Sequence, residues 1–513
     1  LTQWLHRALR HHPNRLATVS GTTRHSFVQL ADRVARLAAA LRFLGVQPGD
    51  RVAMLALNSH RYLEFYLGVF WAGAVACPIN VRWTADEIAY GLKAGEIETL
   101  IVDNSFAGLV PRLRALRPLR TVIHAGESEV PPEMVSYEAL LAQATPVEDA
   151  HRSGEDLAFL LYTGGTTGFP KGVMLSHANL ASAALGMTAM GCGTGASYLH
   201  AVPLFHMAGI QMLFNHLIGG GTHFVLPAFQ PQPMLQMIAQ ERVRSTMLVP
   251  TMLQALVDHP DARTLDLSCL DFVFYGASPI SEALLRRAME VLPSAQFVQG
   301  YGMTETGITL MLPAHYHTPE GQKLGKLRAA GIASPNAEVK IADSEGREVA
   351  RGVPGEILAR GPMVMRGYWN QPEQTALALR EGWMHTGDVG LMDDEGFVFI
   401  VDRLKDMIVS GGENVYSTEV ENALAQHAAV GSCAVIGVPD DKWGERVHAV
   451  VVVRPGIAVA ELDLIAHCKQ LISAYKCPRS VEFRDALPLS AAGKLQKNEL
   501  RAPYWQGRGR GVA

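Results

Sequence analysis

Thr163-Gly164-Gly165-Thr166-Thr167-Gly168-Phe169-Pro170-Lys171-Gly172 sets four glycines, three threonines and one lysine between two apolar runs. Upstream, residues 157–161 read Leu-Ala-Phe-Leu-Leu, a run of strand length; downstream, residues 173–175 read Val-Met-Leu and lead to Ser176, a residue type that caps helices. The stretch is therefore a loop held at both ends by strands. Glycines let backbone N–H groups turn toward an anion without steric cost, threonine hydroxyls add donors, and Lys171 adds a full positive charge. A chain of phosphates needs those parts. The stretch is not the common Gly-x-x-x-x-Gly-Lys-Ser/Thr loop, because Pro170 separates Gly168 from Lys171 and no Ser or Thr follows the lysine.

Further glycine-rich turns follow along the chain. Tyr275-Gly276-Ala277-Ser278-Pro279 comes after the strand-like 271–274, and Gln299-Gly300-Tyr301-Gly302-Met303-Thr304-Glu305-Thr306 after 295–298. Each reads as a strand entering a small-residue turn. Then come His385-Thr386-Gly387-Asp388, Asp402-Arg403-Leu404-Lys405-Asp406, Ser410-Gly411-Gly412-Glu413-Asn414 and Gly493-Lys494.

In this order the motifs resemble the signature of the adenylate-forming superfamily, which includes acyl-CoA synthetases, peptide-synthetase adenylation domains and beetle luciferases. The resemblance covers almost the whole chain. Gly165 stands where the usual form has Ser, which removes one hydroxyl donor and leaves the backbone donor in place. The resemblance implies ATP, Mg²⁺ and coenzyme A as reactants or cofactors. Thr163, Gly164, Gly165, Thr166, Thr167, Gly168 and Lys171 would cradle the β- and γ-phosphates. Thr304 would bond the α-phosphate and Glu305 would hold Mg²⁺. Gly276, Ala277, Ser278 and Tyr301 would form the adenine pocket, Gly302 and Met303 would also bind the nucleotide, and Asp388 with Arg403 would bind the ribose. Lys494 matches the adenylation lysine. Lys405 marks a hinge about which a small domain rotates, bringing Gly411 and Gly412 to the pantetheine of coenzyme A. His206, Met207 and Gly209, with Tyr275 and Gly300, would contact the carboxylic acid.

The chemistry explains why such parts are needed. A carboxylate does not react with a thiol at useful rates, because its carbon is electron-rich and oxide is a poor leaving group. Transfer of AMP to the carboxylate removes both obstacles. Attack on the α-phosphorus of ATP concentrates negative charge, so placed cations and N–H donors are the catalytic need. Amino-acid-activating relatives carry an Asp near position 206 to pair the substrate amine; His206 and Met207 favour an apolar acid instead. The expected activity is that of an ATP-dependent acyl-CoA ligase acting on a medium- or long-chain fatty acid. An aryl acid such as benzoate, cinnamate or ferulate, or transfer to a carrier protein, is the alternative.

Composition sets the class. At 513 residues the chain exceeds what one core serves, and 48% hydrophobic with 18% charged residues is the composition of a globular enzyme. A net charge of −4 without a basic cluster argues against nucleic-acid binding. The six cysteines show no Cys-x-x-Cys pair and no metal-ligand spacing, which suggests buried thiols in a reducing compartment. There is no run of about eighteen apolar residues, so no integral membrane segment is expected, and residues 1–4 lack a signal-peptide pattern; a cytoplasmic location is the expectation. A homodimer is compatible with the resemblance.

Apolar residues recur at helical spacing over 26–44, with Gly45 at the C-terminal end, and Thr84-x-x-Glu87 reads as a capping box. Strands over 51–56, 75–78, 99–103, 198–202, 246–249 and 271–274 alternate with helices, among them 62–72. That pattern predicts an α/β fold whose large N-terminal domain, 1–402, has mixed and parallel sheets flanked by helices. In such sheets ligands bind past the carboxyl ends of the strands, where the glycine motifs fall. Closely spaced β segments predict a small β subdomain over 337–402. A hinge at 403–405 then leads to a small mobile α+β C-terminal domain over 406–513, with helices over 417–427 and 460–474 and strands over 432–438 and 448–454.

Overall fold

The computed structural model describes residues 1–163, 170–193, 197–490, 493 and 495–506. The phosphate-loop candidates Gly164, Gly165, Thr166, Thr167 and Gly168, and Lys494, lie outside the described residues.

Two large sheets form the N-terminal part. In one, Leu157–Thr163, Val75–Pro78, Arg51–Leu55, Thr99–Val102, Thr121–His124 and Val135–Ser136 run parallel, and Lys171–Ser176 and Gly367–Tyr368 extend it antiparallel at one edge. In the other, Gln296–Met303, Phe272–Gly276, Ser245–Leu248, Tyr198–His200, His223–Val225 and Leu16–Ser20 are parallel, with antiparallel strands at both edges. Parallel strands need covered faces. The helix His60–Ala72 supplies part of that cover and is buried at every residue, which is why its sequence is largely apolar, with His60, Arg61 and Glu64 as its buried polar exceptions. Phe70, Phe159, Phe214 and Tyr66 meet around it with ring centroids 5.0 to 6.4 Å apart.

Local signals set the helix starts. Ser26, Thr84 and Ser176 each cap a helix with a reciprocal side-chain bond from the third residue in. A smaller five-stranded sheet follows: Glu338–Ala342, Gly355–Arg360, Trp383–Met392 and Leu379–Arg380, with Val398–Arg403 paired to Trp383–Met392. The C-terminal unit has Glu413–Val415, Ile408–Ser410, Gly444–Val453, Val430–Asp440 and Ser480–Phe483 in one sheet, covered by helices Ser417–Leu424 and Glu461–Leu471. Both helices end about three residues before their apolar pattern does. One expectation fails in an informative way: Gln296–Met303 continues as strand through Gly300-Tyr301-Gly302, and the turn begins only at Thr304. Among the described residues no helix is long and apolar enough to cross a membrane. All six cysteines are free, four of them buried.

The core also holds buried polar groups that pair internally. Glu64 is fully buried and takes two bonds from Arg33, at 2.6 and 3.0 Å, and one from the Tyr137 hydroxyl at 2.8 Å. Burial depresses the imidazoles of His60, His216 and His317 to about 4. An unfolded chain takes up those protons near pH 6.5 while the fold refuses them, so stability falls as pH drops from about 6.5 toward 4. Three such groups make the loss as steep as roughly 4 kcal/mol per pH unit. Urea unfolding at pH 7.5 and 5.0 is expected to give a markedly lower midpoint at pH 5.0; equal midpoints contradict the assignment.

Candidate active site

The hairpin that carries the phosphate-loop motif is closed by the pairing of Thr163 with Lys171. The Lys171 ammonium donates to Gln374 Oε1 at 2.6 Å and sits 5.0 Å from the centre of the Tyr368 ring. The Tyr368 hydroxyl in turn donates to Glu305 Oε1 at 3.0 Å. Glu305 is buried, at 5% exposure, and its carbonyl accepts from Met365 N at 2.7 Å. Two candidates separated widely in sequence, Lys171 and Glu305, thus meet across one aromatic side chain. Tyr368 arrives there because Gly367–Tyr368 pairs with Val173 and Met174. Sequence reasoning missed Tyr368, and no local signal marks it.

A second cluster forms at the ends of the parallel strands. Gly276 lies opposite Gly300, and a Cβ on Gly276 would stand 2.1 Å from the Gly300 carbonyl oxygen. Only glycine permits that approach. Ala277 follows with φ +66°, a backbone state that costs an L residue and is found where surroundings over-determine it. Ser278 is half-buried and Thr304 opens the turn that leads to Glu305. The Tyr301 hydroxyl donates to Asp388 Oδ2 at 2.7 Å, and Arg403 Nε lies 3.4 Å from Asp388 Oδ1. Burial and the adjacent Asp388 carboxylate raise the Tyr301 phenol well above its ordinary value, so it stays a donor. Asp388 is paired with Arg403 across the sheet. Glu356, also missed, anchors this turn: it accepts from Gly387 N at 2.9 Å and contacts His385 Nδ1 at 2.7 Å.

Gly302 makes the tightest contact of the site, since a Cβ there would fall 1.9 Å from the Gly307 carbonyl oxygen. Gly302→Ala is expected to force the 304–306 turn open, to lower stability by roughly 1–3 kcal/mol, and to cut pyrophosphate release by about 100-fold. Thermal unfolding and a pyrophosphate assay check both.

His206 precedes the helix Met207–Ile218, with its ring 4.7 Å from that of Phe205. The helix packs close, as a Cβ on Gly209 would lie 2.5 Å from the Pro203 carbonyl oxygen. Met207 reaches the Thr304–Gly307 turn: its Cε lies 3.6 Å from where a Cβ on Gly307 would stand. Tyr275 and Gly300 sit differently from expectation. Tyr275 is fully buried, its hydroxyl bonded to Gln299 at 3.1 Å and His317 at 2.8 Å, and a Cβ on Gly300 would meet the Phe274 ring at 2.3 Å. Both serve packing beneath the site.

The C-terminal unit reaches the large one through its last loop. Arg82 Nη1 donates to the Ser490 carbonyl at 2.9 Å, and the Thr251 hydroxyl to that of Gly493 at 3.3 Å. A cleft of about 280 Å³ lies there, bordered by Arg82, Phe205, Phe229, Thr251 and Gly493. Gly411 and Gly412 are the two central residues of a tight hairpin, both with positive φ, and Gly411 packs on Trp443. Around residues 403–405 a buried ionic cluster appears that sequence reasoning did not foresee. Asp402 accepts from Ser417 N at 2.5 Å and Oγ at 3.0 Å, Lys497 pairs with Glu421 at 2.7 Å, and Arg501 pairs with Asp406 at 2.5 Å. Burial, with Arg403 close by, pulls the Lys405 ammonium below its ordinary value.

A glycine-lined strand end, a lysine-flanked hairpin and a Tyr–Asp–Arg line are the kinds of group that adenylate formation calls for. The chain belongs to the AMP-binding enzyme family, whose model matches residues 5–369, followed by the AMP-binding enzyme C-terminal domain over 419–494. It is an AMP-forming acyl-CoA ligase. It is 40% identical to a feruloyl-CoA synthase of Amycolatopsis sp, over 98% of this chain and 99% of the relative. It is 35% identical to a medium/long-chain-fatty-acid–CoA ligase of Mycobacterium tuberculosis, over 98% and 90%. The fold matches ATP-bound MatB from Rhodopseudomonas palustris with a TM-score of 0.89 at 32% identity, over 98% of each chain.

Proposed function

We propose that the protein activates an aromatic carboxylic acid of the hydroxycinnamate type as its acyl-adenylate and passes the acyl group to coenzyme A. The Tyr301–Asp388–Arg403 line and the Lys171–Tyr368–Glu305 line are together the observation that supports the reaction type. The full-length similarity to feruloyl-CoA synthase supports the acid class over the fatty acid expected from sequence. The fatty-acid reading stands second, supported by the 35% relative.

Ala277 and Ser278 admit the purine against Tyr301, and Asp388 with Arg403 receives the ribose hydroxyls. Thr163 and Lys171 hold the terminal phosphates at the hairpin base, together with Gly164, Gly165, Thr166, Thr167 and Gly168. Thr304 bonds the α-phosphate. Glu305, a buried carboxylate held by Tyr368, suits Mg²⁺, which when bound offsets phosphate charge. Lys494 directs the acid's carboxylate oxygen onto the α-phosphorus, whose bond to pyrophosphate breaks. Rotation about 403–405 then withdraws Lys494 and admits the thiolate, which attacks the acyl carbon and displaces AMP. The Gly411-Gly412 hairpin approaches the pantetheine arm in that second state. Pyrophosphate release across ferulate, 4-coumarate, cinnamate, benzoate, decanoate and palmitate tests the acid class. The aromatic acids are expected to give the highest kcat/KM; activity confined to decanoate and palmitate overturns this reading in favour of the second.

A further inference from the structure

The helix Met207–Ile218 carries two buried amides four residues apart, on the face toward the helix His177–Ala189. Asn215 is fully buried, and its Nδ2 donates to the Ala184 carbonyl at 3.3 Å and the Thr188 hydroxyl at 3.1 Å. A carbonyl only accepts, so the nitrogen must face Ala184 and Oδ1 must point away. Among the described residues that Oδ1 has no hydrogen-bond partner. Gln211 is 2% exposed, and its Nε2 likewise has no partner among the described residues. One open acceptor and one open donor therefore lie one helical turn apart. Side chains at this spacing are neighbours, about 5–6 Å between Cβ atoms.

Their position bears on the acid. Gln211 Oε1 lies 3.4 Å from where a Cβ on Gly307 would stand, and Met207 Cε lies 3.6 Å from the same point. The amide thus adjoins the turn that begins at Thr304, one turn of helix beyond Met207. Gln211 stands about 6 Å and Asn215 about 12 Å along the helix axis from Met207. Measured from Met207, that span is comparable with the length of a phenylpropenoid acid. Buried donors and acceptors are as a rule satisfied, and leaving one unmet is costly. A hydroxyl accepts from the Gln211 amide while donating to the Asn215 amide oxygen; a methyl end leaves both unmet.

We infer that Gln211 and Asn215 form the far wall of the acyl site and recognise a hydroxyl on the end of the acid remote from its carboxylate. This rests on the proposed function and on the expected contact of His206, Met207 and Gly209 with the acid, which lays the acyl group along the Met207 helix. The test compares kcat/KM for paired acids that differ only in that hydroxyl: 4-coumarate against cinnamate, and 10-hydroxydecanoate against decanoate. Wild type is expected to favour the hydroxylated member of the accepted pair by about 10- to 100-fold. In Gln211→Leu and in Asn215→Leu the ratio is expected to fall toward one. Because each ratio is taken on one preparation, loss of folded enzyme cancels, and Gln211→Met supplies a linear replacement should the leucine variant not fold. A wild-type ratio near one, as a pocket filled by water would give, overturns the inference and leaves the aromatic-acid reading standing. So does a ratio retained in both variants. If no aromatic acid is activated, that reading fails, and the decanoate pair still decides the inference.

Discussion

Lys494→Ala is expected to lower pyrophosphate release from ATP and acid by about 10²- to 10³-fold, while acyl transfer to coenzyme A from preformed adenylate changes only a few-fold. The carboxylate and the α-phosphate are both anionic, so their approach needs a cation that spans them, and that pair no longer has to be brought together once the adenylate is made. The neighbouring residue is already placed on the large unit: the Thr251 hydroxyl holds the Gly493 carbonyl at 3.3 Å and Arg82 holds that of Ser490 at 2.9 Å. Gly493 has φ +74°, which lets the chain turn sharply at this point. Measuring both half-reactions on one preparation checks the assignment. An equal loss in the two contradicts it.

Asp388→Ala is expected to raise the KM for ATP by about 10- to 100-fold, with a smaller fall in kcat. Among the described residues the carboxylate accepts from the Tyr301 hydroxyl at 2.7 Å and lies 3.4 Å from Arg403 Nε, and removing it takes that acceptor from the tyrosine hydroxyl. Stability is expected to drop by roughly 1–3 kcal/mol as well. Initial rates of pyrophosphate release at varied ATP, with the acid saturating, give the answer. An unchanged KM for ATP would remove Asp388 from the ribose site.

Local chemistry made much of the fold legible. The helix Phe27–Phe43 follows from apolar spacing and the Ser26 cap, and the parallel strands follow from short apolar runs between helices. The glycine motifs read as turns, yet Gly300 and Gly302 lie within a strand. Their smallness serves packing against Phe274 and the Gly307 carbonyl, a demand that arises only when distant strands come together. The same limit hid Tyr368 and Glu356, whose roles depend on pairing with residues far along the chain. The ionic cluster at the hinge was hidden too, because nothing local in the sequence pairs Lys497 with Glu421 or Arg501 with Asp406. Asn215 and Gln211 carried no signal in an apolar helix beyond being polar.

The central claim is that a carboxylate oxygen bonds to the α-phosphorus of ATP before any thioester forms. Turnover of an acid labelled with ¹⁸O in its carboxylate, followed by mass spectrometry of the products, tests this most directly. The account predicts AMP carrying one ¹⁸O and pyrophosphate carrying none. Unlabelled AMP, or ADP with labelled inorganic phosphate, would contradict it.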